Sequence, residues 1–215
     1  MTGVALPPDS PRTDDRAGPS HIGPRLRAQR ERLGLSLREL ARRIGVSASL
    51  ISQIERDKVN PSVSTLYALV QELKLTMGDL FAADGGASSA ATLPSHPPLV
   101  TEDERAVITL ASGVTWERLT PSSDPTFEFL HVVYEPGSES CPEDSLVTHG
   151  GKEYGYVISG HLGVRIGFDE YRLGPGMAIS FDASAPHRLW AIGDRPARAI
   201  WVVVGRQSDG RGPLL

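Results

Sequence analysis

Between residues 21 and 82, apolar residues recur at spacings of three and four, the period of helices that bury one face. Glycine or Asn-Pro interrupts this pattern, and a hydroxyl residue that can accept a hydrogen bond from free helix N–H groups precedes each later segment. The interruptions are Gly34, Gly45 and Asn60-Pro61, and the hydroxyl residues are Ser36, Ser47, Ser62 and Thr76. The pattern predicts five short helices, at 23–33, 37–44, 48–55, 63–73 and 77–82.

Beyond residue 100 the chain changes to short runs of β-branched and aromatic residues, separated by Gly, Pro and Asp. Such runs predict strands, and regularly spaced short strands favour an antiparallel sandwich or barrel. The predicted strands are at 107–110, 126–134, 154–159, 162–166, 177–181, 188–192 and 197–204. The fold class is therefore an all-α domain followed by an all-β domain.

The stretch 83–99 is rich in Gly and Ser and then in Pro, which is the composition of a flexible linker. Both ends of the chain lack apolar periodicity and are expected to form no packed structure. The predicted organisation is a disordered tail at 1–20, a helical domain at 21–82, a linker at 83–99, a β domain at 100–208 and a flexible tail at 209–215.

The net charge of the 215 residues is −4, but the charge is divided unevenly between the two domains. Residues 21–82 contain ten Lys and Arg against six Asp and Glu, a net +4. Residues 83–215 contain ten against seventeen, a net −7. A basic domain joined to an acidic one is typical of a nucleic-acid-binding domain that carries a second module.

Several function classes are disfavoured by the sequence. The N-terminal segment has neither the basic nor the apolar region of a secretory signal, and no apolar run is long enough to span a bilayer. Cys141 is the single cysteine, so no internal disulfide can form. We expect a cytoplasmic protein without a nucleophilic triad, a phosphate-binding loop or a Cys-rich zinc site.

Residues 36–55 contain two short amphipathic segments that meet at Gly45-Val46, where glycine permits a sharp bend. Ala41 is small where the two helices must cross closely. The outward face of the second helix carries short or amide side chains, which can enter a DNA major groove and hydrogen-bond base edges, Gln53 to adenine above all. These side chains are Ser47, Ala48, Ser49, Ser52 and Gln53.

Residues 21–82 closely resemble the lambda-repressor-like helix-turn-helix domains of the xenobiotic-response-element (XRE) class. The segments that carry the resemblance are 26–36, 51–56, 60–62 and 66–75. The resemblance implies a sequence-specific DNA-binding transcriptional regulator, a repressor or dual regulator, that binds its operator as a homodimer. It also implies a structural ion pair between Arg30 and Glu55. The residues that it places beside DNA phosphates are Arg38, Arg56, Lys58 and Asn60. Two alternatives to DNA binding stay open. The arginines could serve only to solvate a helical face, or the domain could be a degenerate helix-turn-helix that binds a protein.

In the β domain, His149 precedes Glu153 by four residues, Gly160 follows, and Pro186-His187 comes after a Gly-Pro-Gly turn. These spacings resemble the two signature motifs of the cupin superfamily, which implies a double-stranded β-helix barrel. Val147 stands where the metal-binding cupins have their first histidine. At most three protein ligands then remain, so a divalent metal (Fe, Zn or Mn) is allowed but not required.

Three interpretations of His149, Glu153 and His187 stay open. They line a pocket for a small effector, with or without metal; they bind iron in a mononuclear non-haem cupin enzyme resembling hydroxypropylphosphonate epoxidase; or they are internally satisfied polar groups. The regulator is preferred over the enzyme.

Strand alternation puts Glu153, Gly155 and Val157 on one face and the intervening residues on the other, and only one face can line the cavity. The further candidates for its wall, whose strand faces the sequence leaves open, are His131, Arg165 and Trp190.

Overall fold

A computed structural model of the chain describes residues 22–81, 98–124 and 126–205. The predicted tails at 1–20 and 209–215, and all but the end of the predicted linker at 83–99, lie outside the described residues. Within these ranges a helical domain precedes a β-rich domain, as the sequence predicts. No helix in the described ranges has both the length and the apolar character to cross a membrane.

The helices follow the predicted positions closely because their ends are determined by local capping. They are α1 Gly23–Arg32, α2 Leu37–Ile44, α3 Ala48–Ile54, α4 Val63–Glu72 and α5 Met77–Phe81. The hydroxyls of Ser36, Ser47 and Ser62 accept hydrogen bonds from the N–H groups three residues later, at the starts of α2, α3 and α4. The helices enclose a shared core that includes Leu26, Leu40, Ile51, Ile54, Leu66 and Leu69.

The β domain consists of two antiparallel sheets. Its strands are β1 Val107–Thr109, β2 Val114–Arg118, β3 Phe127–Tyr134, β4 Lys152–Ser159, β5 His161–Ile166, β6 Asp169–Leu173, β7 Ala178–Asp182, β8 His187–Ile192 and β9 Ala197–Val204. One sheet has the order β1-β2-β3-β9-β4-β7 and the other has the order β6-β5-β8. The sequence predictions missed β2 and β6. Four of the five β6 residues are exposed, so no apolar alternation marks that strand.

Burial alternates along β4 and decides which face lines the interior. Glu153 and Val157 are buried, whereas Tyr154, Tyr156 and Ile158 are exposed. Glu153 therefore points between the two sheets.

The helical domain packs against the β domain through α4, α5 and the segment before α4. The backbone N–H of Ala111 donates to the carbonyl of Pro61 at 2.8 Å. The ring of Tyr67 on α4 lies 5.6 Å from that of Trp116 on β2, and the guanidinium of Arg118 lies 5.8 Å from the ring of Phe81 on α5. One end of α4 is thus placed beside the interior of the β domain.

Candidate functional site

The first candidate site is the surface of the two helices that meet at Gly45. Gly45 has φ +74° and ψ +27°, a left-handed conformation that favours glycine, and its N–H donates to the carbonyl of Ala41. The N–H of Val46 donates to the same carbonyl at 3.0 Å. Leu40 and Ala41 are buried, so α2 packs closely on α3 and leaves the opposite side of α3 facing outward.

The predicted groove-facing residues differ in what they can offer a base. Ser49 is exposed, and Ser52 and Gln53 are partly exposed. The hydroxyl of Ser47 accepts the N–H of Leu50 at 3.1 Å, so this residue also caps α3. Ala48 packs partly against the domain core. Of the outward side chains, the amide of Gln53 has the greatest capacity for paired hydrogen bonds.

The exposed cations of the helical domain fall into two groups. The guanidinium groups of Arg42 and Arg43 both contact Glu39 at 2.8 Å, and they hold the pKa of that carboxyl at about 2. Arg43 also contacts Glu72 at 2.6 Å. In contrast, no carboxylate in the described ranges forms an ion pair with the predicted phosphate contacts Arg38, Arg56 and Lys58. Arg38 lies on α2, Arg56 and Lys58 follow α3 in the chain, and all three are exposed.

Arg30 and Glu55, expected to pair, are brought together inside the helical domain. Arg30 Nε lies 2.6 Å from Glu55 Oε1, and Arg30 Nη2 lies 2.8 Å from Oε2. Arg30 Nη1 also donates to the carbonyl of Leu35 at 2.8 Å. Both side chains are buried, and the hydrogen bonds to Glu55 raise the pKa of Arg30. This bidentate pair ties α1 to the end of α3.

The second candidate site lies inside the β domain, where His149, Glu153 and His187 converge. One potential ligand atom from each residue lies within 4.8 Å of the other two. Glu153 Oε1 is 2.8 Å from His149 Nε2 and 3.6 Å from His187 Nε2. The other oxygen of Glu153 accepts a hydrogen bond from Trp201 Nε1 at 2.8 Å. Three of the residues predicted as a pocket are therefore adjacent.

Hydrogen bonds on the far side of each imidazole determine which nitrogen faces Glu153. His149 Nδ1 lies 2.9 Å from the carbonyl of Gly150, and His187 Nδ1 lies 2.9 Å from that of Ala185. A carbonyl can only accept, so each Nδ1 carries a proton and each ring presents Nε2 to Glu153. His149 Nε2 makes no hydrogen bond in the described part of the chain, although it approaches Glu153. Two imidazole nitrogens and a carboxylate oxygen thus face one another, a set of atoms that can bind a divalent cation.

The space beside these three residues is small. A cavity of about 30 Å³ is bordered by Glu153, His187 and Trp201 from the β domain and by Val63 and Tyr67 from α4. This volume holds an ion with a water molecule, not a metabolite. A wider cleft of about 730 Å³ lies between the domains, with Tyr67 and His149 in its wall. The rings of Tyr67 and His149 are 4.9 Å apart.

The other predicted wall residues belong to the opposite strand faces, which corrects that interpretation. His131 Nδ1 lies 3.1 Å from Glu117 Oε2 and, with Arg105, holds the pKa of Glu117 at about 2. Arg165 donates to the carbonyl of Gly167, and the Trp190 ring lies 4.8 Å from the guanidinium of a neighbouring arginine. None of the three borders the cavity.

Sequence reasoning missed two residues of this site, Tyr67 and Trp201. Trp201 lies directly across from Gly155 in the β4–β9 pair, and a Cβ on Gly155 would come within 2.1 Å of its ring. The glycine thus leaves room for the indole that donates to Glu153. No local pattern identifies this pair, because it depends on strand register.

Comparisons with known proteins find relatives over both domains. Residues 26–80 match the helix-turn-helix family, and residues 130–203 match the cupin domain family. The HTH-type transcriptional regulator PuuR of Escherichia coli is 29% identical over 77% of this chain and 84% of its own length. SutR of the same organism, another HTH-type transcriptional regulator, is 26% identical over 75% of this chain and 82% of its own length. A crystal structure of an HTH_3 family transcriptional regulator from Vibrio cholerae aligns with a TM-score of 0.59 at 23% identity, covering 86% of this chain and 95% of that one.

Proposed function

We infer that this chain, which joins a helix-turn-helix domain to a cupin domain, is a DNA-binding transcriptional regulator. The observation that carries the inference is that the segment matching the helix-turn-helix family also has a basic surface. On this surface Arg38, Arg56 and Lys58 are exposed and form no ion pair with a carboxylate in the described ranges. Cations that no internal carboxylate neutralises are available to phosphates. The similarity to named regulators over both domains favours this function over an iron-dependent enzyme.

We further propose that α3 enters the major groove. In that position Gln53 hydrogen-bonds an adenine, and the shorter side chains on the same face approach neighbouring base edges. Arg38, Arg56, Lys58 and Asn60 lie at the phosphates and set affinity and register. The base-facing set is Ser47, Ala48, Ser49, Ser52 and Gln53.

Replacing Arg38 or Lys58 with glutamine is expected to reduce the salt dependence of DNA binding. Each lost phosphate contact should lower the slope of log K against log salt by about 1. The matched control is Arg42→Gln, on the same helix as Arg38, where the guanidinium already contacts Glu39 at 2.8 Å. Its slope should stay that of the natural protein. Titration of a labelled duplex at several salt concentrations measures all three. Equal slopes in the three variants would refute the assigned phosphate contacts.

We propose a homodimer that forms through the outer face of the sheet made by β4 and β9. Tyr154, Tyr156 and Ile158 are 45%, 49% and 47% exposed there, which is high for large apolar side chains. In the strand register, Tyr154 lies beside Val202 and Tyr156 beside Ile200, so these side chains form one continuous patch. We propose that a second copy of the chain covers this patch. The seven-residue α3 covers few base pairs, so specific binding requires two copies that read two half-sites.

Tyr156→Glu is expected to convert the dimer into a monomer and to weaken binding to a two-half-site duplex, since it places a charge in the apolar patch. Tyr171→Glu is the matched control, because Tyr171 is a 45% exposed tyrosine on β6 of the other sheet. Light scattering at known protein concentration gives the oligomeric state of each variant. If the Tyr156→Glu variant still formed dimers at the same protein concentration as the natural protein, this face would be excluded as the dimer interface.

We propose that His149, Glu153 and His187 hold a divalent cation (Fe, Zn or Mn), since one potential ligand atom from each lies within 4.8 Å of the other two. The ion supplies positive charge and open coordination positions. An oxygen-using iron enzyme would have the same ligand set, so the cluster alone does not distinguish the two functions. The regulator is supported by the relatives, and in it a small effector binds in the cleft beside this site, where Tyr67 and His149 lie in the wall.

We also propose the wider organisation predicted from the sequence. Residues 21–82 and 100–208 are the two functional domains, the linker at 83–99 joins them, and the tails at 1–20 and 209–215 lie outside both. The helical domain is of the five-helix type, and the two sheets form a double-stranded β-helix. A cytoplasmic location accords with binding to DNA.

A further inference from the structure

Tyr67 is the one aromatic residue of α4, and it lies where the two domains meet. Its ring is 4.9 Å from the His149 ring and 5.6 Å from the Trp116 ring. It borders both the small cavity beside Glu153 and the cleft between the domains. A residue of the DNA-binding domain is therefore part of the wall around the three candidate ligands.

We propose that Tyr67 completes the site of His149, Glu153 and His187, so that a divalent cation bound there holds α4 and the DNA-binding domain against the cupin domain. This proposal rests on the proposed function of the three residues as a cation site. Binding of the cation alone, without a larger effector, would then change the position of the helix-turn-helix domain.

The chemistry of the His149 ring connects the cation to Tyr67. His149 Nε2 lies 2.8 Å from a carboxylate oxygen of Glu153, so one cation can bind both atoms. A cation at Nε2 fixes the ring in the orientation that places it 4.9 Å from the Tyr67 ring, with the two ring planes tilted by 43°. Coordination also makes the imidazole electron-poor, and such a ring is attracted to the electron-rich face of a phenol. Cation binding and the Tyr67 contact should therefore strengthen each other.

The size of the cavity supports a cation as the ligand. While Val63 and Tyr67 border it, the space of about 30 Å³ admits an ion and a water molecule but no organic metabolite. A cation can thus bind in this space with α4 in place, whereas a larger molecule has room only in the cleft outside it.

Helix α4 transmits its position to the DNA-binding surface because it shares the core of the helical domain. Val63, Leu66 and Leu69 are buried in that core, and α4 contacts α2 directly. The carbonyl of Pro61, just before α4, accepts the N–H of Ala111 from the β domain at 2.8 Å. A cation that fixes α4 therefore fixes α2 and α3 relative to the barrel, and hence the arrangement of the two α3 helices in a dimer.

The test uses Co²⁺ as the probe, with the full chain and the variants Tyr67→Ala, Tyr67→Phe and His187→Ala. Visible absorption of bound Co²⁺ gives the affinity. Thermal unfolding followed by the helical circular dichroism signal shows whether the ion stabilises the helical domain. We expect Tyr67→Ala to bind Co²⁺ about tenfold more weakly, within the usual range of coupling between sites. We expect Tyr67→Phe, which keeps the ring, to bind nearly as well as the natural protein. Co²⁺ should raise the helical midpoint of the natural protein and of Tyr67→Phe, but not that of Tyr67→Ala.

Two results would overturn the proposal, and they differ in what else they overturn. If the natural protein binds no Co²⁺, or if His187→Ala binds it equally well, the cation site itself is wrong and the proposal fails with it. If Tyr67→Ala binds Co²⁺ with unchanged affinity and its helical midpoint still rises, the coupling is wrong while the cation site stands. Should Tyr67→Ala fail to fold, Tyr67→Leu keeps the bulk without the aromatic face, and the same affinities and midpoints decide.

Discussion

Replacing Arg30 with methionine is expected to lower the free energy of unfolding of the helical domain by about 3–5 kcal/mol, because it leaves the buried carboxylate of Glu55 without its partner. The pair is bidentate, at 2.6 and 2.8 Å, and both side chains are buried. Chemical denaturation followed by the helical circular dichroism signal measures the loss.

Two further variants distinguish the stability contribution of the buried Arg30–Glu55 pair from that of an exposed ion pair. Arg27→Met removes an exposed pair with Glu31, whose side chains are 58% and 51% accessible, and should cost less than about 1 kcal/mol. The double change Arg30→Met with Glu55→Leu removes both charges and should recover much of the lost stability. If Arg30→Met were no more destabilising than Arg27→Met, the structural role of the pair would be wrong.

Gly155→Ala is expected to destabilise the cupin domain by about 1–3 kcal/mol and to weaken cation binding about 10- to 100-fold. The new Cβ would lie 2.1 Å from the Trp201 ring, so the indole must move. Its Nε1 then no longer donates to Glu153, and the carboxylate loses the hydrogen bond that orients it toward the two histidines.

The matched control for this change is Gly163→Ala. A Cβ on Gly163 would also lie 2.1 Å from a tryptophan ring, that of Trp190, which does not border the cavity. We expect a similar loss of stability but unchanged Co²⁺ affinity. If the two variants lost affinity equally, the effect of Gly155→Ala would be a general consequence of destabilisation, and the orienting role of Trp201 would be refuted.

The sequence predicted the helical domain well because its signals are local. Ser36, Ser47 and Ser62 cap the helices that they precede, and Gly45 ends α2 in the left-handed conformation that the turn requires. Strand β6 was missed for the opposite reason, since its Asp, Glu and Arg side chains are exposed and leave no alternation.

In the cupin domain, motif spacing predicted which residues converge but not what surrounds them. His149, Glu153 and His187 could be found because the spacing of their motifs resembles a known pattern. The sequence left open which face of their strands His131, Arg165 and Trp190 occupy, and none of the three borders the small cavity, because the packing of the sheets decides which strand face points inward. Tyr67 could not be found at all, because it comes from the other domain and meets His149 only in the folded chain.

The most direct test of DNA recognition is selection from a pool of random duplexes by the purified full chain, with Gln53→Ala selected in parallel. We predict a pseudo-palindromic motif whose half-site centres are about one DNA turn, roughly 10 base pairs, apart. In the Gln53→Ala selection, one position in each half-site should lose its preference, equivalent to about 1–3 kcal/mol of discrimination. Recovery of no enriched motif by the natural protein would contradict the account.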